Sequence, residues 1–237
     1  MEPRSATPEA SMQTALATAG LPPVLAASLP SRAVALPATE ARAGLRRTVT
    51  AEAEIFAEGD RAATFYKVVS GVVRTYKLLS DGRRQIDAFH LPGDIFGLEA
   101  GAEHRFNAEA VTEARLEVHR REPRALAGDD GALAREVVAA MMRGLERAQD
   151  HMMLLGRKSA RERIATFLLT MARRMGCGET AMELPMSRTD MADHLGLTVE
   201  SVSRAVTLLE RGGLIALPPN RRMVVIRDAE ALARLAE

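Results

Sequence analysis

Hydrophobic and polar positions change rhythm along this chain. From about Arg47 to Arg121 apolar residues come in short runs: Phe65 to Val69, Val72 to Leu79, Arg84 to His90 and Leu116 to His119. Turn signals divide them at Glu58-Gly59-Asp60, Ser70-Gly71, Ser80-Asp81-Gly82 and Pro92-Gly93-Asp94. Strands at this spacing predict an antiparallel roll or barrel. From about Gly131 to Leu155 the period becomes helical, with Leu133, Val137, Ala140 or Met141, Gly144, Ala148, Met152 and Leu155 recurring every 3 to 4 residues. That predicts one long amphipathic helix with a narrow apolar seam. At roughly 25 residues it runs on the order of 37 Å, long for a small domain. It is expected to pair with its own copy in a homodimer through Val137, Met141, Gly144, Leu145, Ala148, Met152 and Leu155. Packing against its own barrel alone is the alternative.

Leu155-Gly156-Arg157-Lys158-Ser159 interrupts that pattern, and Gly156 offers a hinge. Ser159 then caps a further helix to about Met175, with Glu162 completing a capping box. Ser187 is a plausible N-cap for a short helix from Arg188 to Leu195, and Gly196 follows where a turn needs positive φ. Thr198 caps a second helix from Val199 to about Arg211, and Glu200 in its first turn suits the helix dipole. Met191, Ala192, Leu195, Leu197, Val202 and Leu209 are spaced to pack the two helices together. Thr198, Glu200, Ser201, Ser203, Arg204 and Thr207 share the outer face. This reads as a helix-turn-helix whose second helix enters the DNA major groove. An ordinary helical hairpin with a polar outer face fits the same segment.

The neighbouring pattern favours DNA. Leu214 to Leu217, then Pro218-Pro219-Asn220-Arg221-Arg222, then Met223 to Ile226 reads as strand, turn, strand, and Ala229 to Leu235 as a closing helix. A hairpin with Arg221 and Arg222 at its tip makes a winged helix-turn-helix, and those arginines suit phosphate contact. Solvated arginines on a turn would look the same. Ser187, Arg188, Thr198 and Ser201 are the other candidate phosphate contacts.

Composition adds bounds. The 237 residues suffice for two domains with cores, and the 47% apolar fraction describes a globular chain. Aromatics are 3% and Trp is absent, so stacking on single-stranded nucleic acid is poorly supported. Net charge is +1, but Arg157 to Glu237 holds 13 Lys/Arg against 10 Asp/Glu, a modest positive bias at the proposed DNA-binding end. The single cysteine, Cys177, excludes an intrachain disulfide and a four-cysteine cluster built by one subunit. It lies in an expected exposed loop and reads as a free thiol, with oxidation or an intermolecular disulfide as the alternative. No apolar run approaches the ~18 residues of a membrane span, and no signal peptide is visible, so a cytoplasmic location is expected.

Gly71, Asp81-Gly82-Arg83-Arg84-Gln85-Ile86, Pro92-Gly93-Asp94-Ile95-Phe96-Gly97, and Pro185-Met186-Ser187-Arg188 running into Leu197 to Arg204 resemble the Crp-Fnr superfamily of bacterial transcription regulators. The resemblance covers roughly residues 45 to 237. Glu200-x-x-Ser203-Arg204 looks most like the FixK-type branch, regulators of low-oxygen and nitrogen-fixation genes. It implies an α+β chain. Residues 1–45 are a loosely ordered lead-in, with a short helix near Ser11 to Ala17. Residues 46–127 form an N-terminal antiparallel jelly-roll, residues 128–156 a dimerisation helix, and residues 157–237 a winged helix-turn-helix. It also implies palindromic sites of the form TTGA, six base pairs, TCAA. Arg204 is suited to pair with guanine O6 and N7, and Glu200 to accept from a cytosine N4 amine. Ser203 suits a base edge or thymine methyl, and Val199 a thymine methyl. A surface Glu200–Arg204 ion pair is the plainer alternative. Activation implies contact with RNA polymerase, with the Ser80 to Arg84 turn and the barrel surface as candidate sites.

The chain also departs from its relatives. Where nucleotide-responsive members carry Arg then Ser or Thr, this one has Arg105 then Phe106, so the phosphate would lose a hydroxyl. The barrel is therefore expected to be a ligand-free scaffold with no cofactor; control by a cyclic nucleotide or haem is the alternative. Residues 1 to 50 hold no cysteine, against an oxygen-sensing cluster. Haem would need His90, His104 or His119. An enzyme on the barrel, such as a cupin-type dioxygenase, is the rival class. It needs converging ligands, yet these histidines stand 14 and 15 residues apart and no His-x-His pair exists. No catalytic residue or metal site is expected.

Overall fold

The turn glycines and the short strands between them close into a roll. The computed structural model describes residues 45–121, 131–177, 181–219 and 222–236. The lead-in helix expected near Ser11 to Ala17 lies outside them. One antiparallel sheet contains β1 (Leu45–Val49), β8 (Ala114–Arg120), β3 (Thr64–Ser70) and β6 (Ile95–Phe96), in that order. The other contains β2 (Glu54–Phe56), β7 (Asn107–Ala110), β4 (Val73–Leu78) and β5 (Arg84–His90). Gly71 shows why the turns are spaced as they are. Its φ is +81°, and a Cβ there would sit 2.1 Å from the carbonyl oxygen of Glu113. Only glycine allows that approach.

Two strands outside the expected set, β1 and β7, share a physical reason. β1 carries Arg46, Arg47 and Thr48 outward, and β7 alternates only two alanines inward. Neither offers the alternation of large apolar residues by which strands are recognised.

The long helix α1 (Ala132–Arg157) forms with 26 residues and runs through Gly156, where an interruption was expected; the break comes at the extended Lys158 instead. Its apolar positions divide between two faces. Val137 and Ala140 are buried in one cluster with Phe65 and Ile95, flanked by Leu133 and Leu98. Lys67 and Glu136, paired at 2.5 Å, reinforce that seam. Val137, expected in the dimer seam, thus packs against the chain's own β-roll. Leu155 is half-buried against the C-terminal core and touches the position of Gly196. Of the other expected seam residues, Gly144 is half-buried, while Met141, Leu145, Ala148 and Met152 are exposed. Val138, Met142 and Met153 join them, each more than half exposed.

Ser159 caps α2 (Ala160–Arg174), and the capping box with Glu162 is present in both directions. Beyond it come β9 (Ala181–Glu183), α3 (Arg188–Leu195), α4 (Val199–Arg211), β10 (Ile215–Ala216), β11 (Met223–Ile226) and α5 (Ala229–Ala236). The wing is a three-stranded sheet in the order β10, β11, β9. Strand β9, with only Met182 turned inward, went unanticipated. Ile164, Leu168 and Met171 of α2 pack with Leu195, Val202, Leu209 and Leu232. Val72, Ile86 and Phe89 of the roll belong to the same buried cluster, so the two halves share apolar packing. Among the described residues no helix is long and apolar enough to cross a membrane.

Candidate nucleic-acid interface

The reading element is assembled from two caps and one glycine. Ser187 accepts from the Asp190 amide at 3.0 Å, and its own amide donates to Asp190 Oδ2 at 3.0 Å. This is a second capping box, so α3 starts sharply. It ends at Gly196 with φ +62°, the left-handed value the turn requires. Thr198 then accepts from the Ser201 amide at 3.2 Å and starts α4. Met191, Ala192 and Leu195 of α3 and Val202, Ala205, Val206 and Leu209 of α4 are buried between the helices and α2.

The opposite face of α4 is bare. Val199, Glu200, Ser203, Arg204 and Thr207 are all exposed. Arg204 donates through Nε to the Glu200 backbone carbonyl at 3.4 Å, and among the described residues no carboxylate pairs with it. The surface Glu200–Arg204 ion pair is therefore not formed within hydrogen-bonding distance, although the guanidinium still lowers the Glu200 pKa through space. The Glu200 carboxyl is held below its ordinary range by its own backbone amide and the Thr198 hydroxyl. It stays ionised and acts purely as an acceptor.

The candidate phosphate contacts are less uniform. The Ser187 hydroxyl already donates to Asp190 Oδ2 at 2.8 Å, and the Thr198 hydroxyl to Ser201 at 3.1 Å. Each would have to exchange that partner to bind a phosphate. Arg188 lines a cleft of about 600 Å³ with Ser203, Thr207 and Glu210 on one side and Leu217, Pro218 and Pro219 on the other. Burial there lowers its pKa, a cost that an anion in the cleft would offset. Arg222 is exposed in the turn just before β11; Arg221 lies outside the described residues.

Sequence reasoning missed the most buried charges near this element. Asp190 is 3% exposed. Its Oδ1 accepts from Arg74 at 3.1 Å and from Arg84 at 2.6 Å, both on the β-roll. Arg84 also pairs with Asp193 at 2.8 Å, and Arg74 with Glu52 and Glu109 at 2.6 and 2.9 Å. Only the Ser187-x-x-Asp190 spacing carried a signal, and it announced the cap, not the clamp. Of the Ser80 to Arg84 turn, Arg83 pairs with Asp81 and Arg84 is held by α3.

The barrel interior is filled with stacked rings. Phe56 lies on His104 with centroids 3.6 Å apart, on Tyr66 at 5.6 Å and on Phe96 at 6.2 Å; His90 stacks on Phe96 at 4.9 Å. Where a phosphate cassette would lie, the Arg105 amide donates to Glu99 and the Arg105 guanidinium leans over Phe106. His90 is bonded to Thr75 at 3.0 Å, and burial pushes its pKa down to about 4. His119 stacks separately on Phe65. The three histidines do not converge, and among the described residues no cluster of metal-ligating side chains forms. Cys177, expected in an exposed loop, is instead half-buried against the C-terminal core, because the turn after α2 folds back and its thiol reaches the Met175 carbonyl.

Comparison with known proteins agrees with this architecture. Residues 46–123 match the family model of the cyclic nucleotide-binding domain, and residues 162–235 that of the Crp-like helix-turn-helix domain. The chain is 54% identical over 187 residues to the nitrogen fixation regulation protein FixK of Azorhizobium caulinodans, covering 77% of this chain and 75% of that one. It is 48% identical over 182 residues to FixK of Rhizobium meliloti, covering 77% and 82%. The solved structure of FixK2 from Bradyrhizobium japonicum superposes with a TM-score of 0.75 at 46% identity, over 81% of this chain and 97% of that one. With both domains matched in this order and relatives of such identity along most of their length, the chain belongs to the Crp-Fnr family of helix-turn-helix transcription regulators, in its FixK-type branch.

Proposed function

We propose that the protein binds TTGA-N6-TCAA-like palindromes as a homodimer, without an obligatory small-molecule effector, and activates low-oxygen or nitrogen-fixation genes. The observation that carries this reading is the bare face of α4. An arginine and an ionised glutamate stand there one turn apart, unpaired with each other, matched to guanine and to the cytosine opposite it. Ser203 and Val199 flank them on the same exposed surface. A good bidentate pair discriminates by about 1–3 kcal/mol, more than a surface ion pair could contribute.

Homodimerisation is supported by the exposed apolar face of α1, where Met141, Leu145 and Met152 continue one stripe. A pair of such helices would present two copies of α4 to successive major grooves. Independence from a ligand is supported by the ring stack inside the barrel and by Phe106 beside Arg105. Phosphate contact by Arg188 is supported by its place in the cleft beside α4, and contact by Arg222 by its exposure in the wing. RNA polymerase is the partner for activation, and the exposed Ser80 to Arg83 tip is its candidate contact. The site of action is the cytoplasm, where such DNA is found. The relatives are regulators rather than enzymes.

The test is fluorescence anisotropy with a TTGA-N6-TCAA duplex at fixed salt, against a scrambled duplex and a G→A half-site change, with and without cyclic AMP. Tight binding that ignores cyclic AMP, falls on the base change, and loses that sensitivity in Arg204→Ala is expected. Binding only with cyclic AMP would replace this reading by a ligand-gated one.

A further inference from the structure

Helix α3 is fastened to the β-roll at three points along its length. At its first turn Asp190 takes Arg74 and Arg84; in its last turn Asp193 takes Arg84. At its end the His194 carbonyl accepts from Gln85 at 3.3 Å, while the His194 ring bonds the Ile86 carbonyl at 3.1 Å. Arg84, Gln85 and Ile86 are consecutive on β5, so α3 runs along this strand. The Asp190 carboxylate is saturated: its other oxygen serves the Ser187 cap. One residue therefore both starts the first helix of the reading element and ties it to the roll.

Apolar packing between the two halves is non-directional and would tolerate a tilt. Charge-assisted bonds from a forked guanidinium are directional. A buried ion cluster contributes little net stability against its desolvation, while breaking one of its partners leaves a buried charge unpaired, so a tilt that separated them would be costly. None of its members lies on the exposed face of α4.

We propose that Arg84, backed by Arg74, is a positioning residue for DNA recognition. Through Asp190 and Asp193 it fixes the angle of the reading helix against the roll, and so the separation of the two reading helices in a dimer. The clamp sets which half-site spacing is accepted, and leaves base identity to Glu200 and Arg204. This inference rests on the palindrome reading above, and the experiment separates the two.

The full-length protein is titrated on duplexes whose two half-sites are moved apart or together one base pair at a time, by anisotropy at fixed salt. The wild type should prefer one spacing sharply. In Arg84→Gln the preference for that spacing over its neighbours should shrink by about fivefold or more. Discrimination against the G→A half-site should stay within about twofold of wild type. Asp193→Asn, which leaves the Ser187 cap untouched, should shift spacing in the same direction by less, and Arg84→Lys should fall between. A lowered melting temperature with an unchanged spacing profile would overturn the proposal, making the clamp a stabiliser only. Equal loss of spacing and base discrimination would overturn it too. If the wild type ignores the palindrome altogether, the base reading has failed instead. The spacing comparison is then run on the site the wild type selects from a random duplex pool, with the same criteria.

Discussion

Mild acid should destabilise this protein, and the histidines set the size of the effect. Burial lowers the pKa of His90 from 6.5 to about 4 and that of His194 from 6.5 to about 3. For His194 the adjacent His151 ring, stacked at 4.2 Å, pushes further the same way. The Ile86 carbonyl can only accept, so His194 Nδ1 carries the proton of the neutral ring. A second proton would have to enter at Nε2. Because the folded pKa lies below the unfolded one, the native state binds fewer protons. Stability is therefore complete above about pH 6.5 and falls as pH drops toward the folded values. Between pH 7 and pH 5 the unfolded imidazole gains about three-quarters of a proton and the folded one almost none. At about 1.36 kcal/mol per unit, each histidine then costs about 1.8 kcal/mol, whether its folded pKa is 3 or 4. His194 is half-buried, and water at its exposed edge trims its share.

The pair thus removes about 3.5 kcal/mol at most, a large part of a typical 5–15 kcal/mol. His104, His119 and His151 are shifted down as well and add in the same direction. Urea unfolding at the two pH values measures this directly, read as the shift in midpoint at constant m. His90→Gln and His194→Gln should each flatten the pH dependence by roughly one proton. A loss below about 1 kcal/mol in the wild type, or an unchanged slope in both variants, would show that the rings are solvated enough to charge in place.

Other consequences are simpler. Gly71→Ala should cost about 3 kcal/mol or more, since it combines a left-handed φ with a backbone collision at Glu113; thermal unfolding checks it. Ser159→Ala removes one half of the α2 capping box and should cost about 1 kcal/mol by the same assay. Leu145→Glu with Met152→Glu charges the bare face of α1 and should yield monomers by sedimentation, with the fold intact by circular dichroism. An unchanged dimer would move the interface elsewhere.

What the sequence revealed and what it hid follow from the range of the interactions involved. Caps and turns are local, so Ser159 with Glu162, Gly196, and Thr198 ahead of α4 could be read from spacing alone, and with them the whole reading element. The side of α1 that faces outward was not legible. Val137, Val138, Ala139, Ala140, Met141 and Met142 are consecutive, so the helix is apolar nearly all round there and periodicity cannot choose a face. The β-roll makes that choice by taking Val137 and Ala140, which leaves Val138, Met141 and Met142 outside. The clamp was hidden for a different reason. Arg74 and Arg84 lie 116 and 106 residues from Asp190, and nothing within a strand or a helix turn marks a charge for burial. A polar residue in a strand is assigned to solvent by default, because burying it unpaired is costly. That cost is also why the contact is informative once seen. A guanidinium kept at 5% exposure by three carboxylates has few arrangements open to it. The orientation of the reading helix is therefore set by residues the hydrophobic pattern passes over, while the pattern itself settles only that the helix exists.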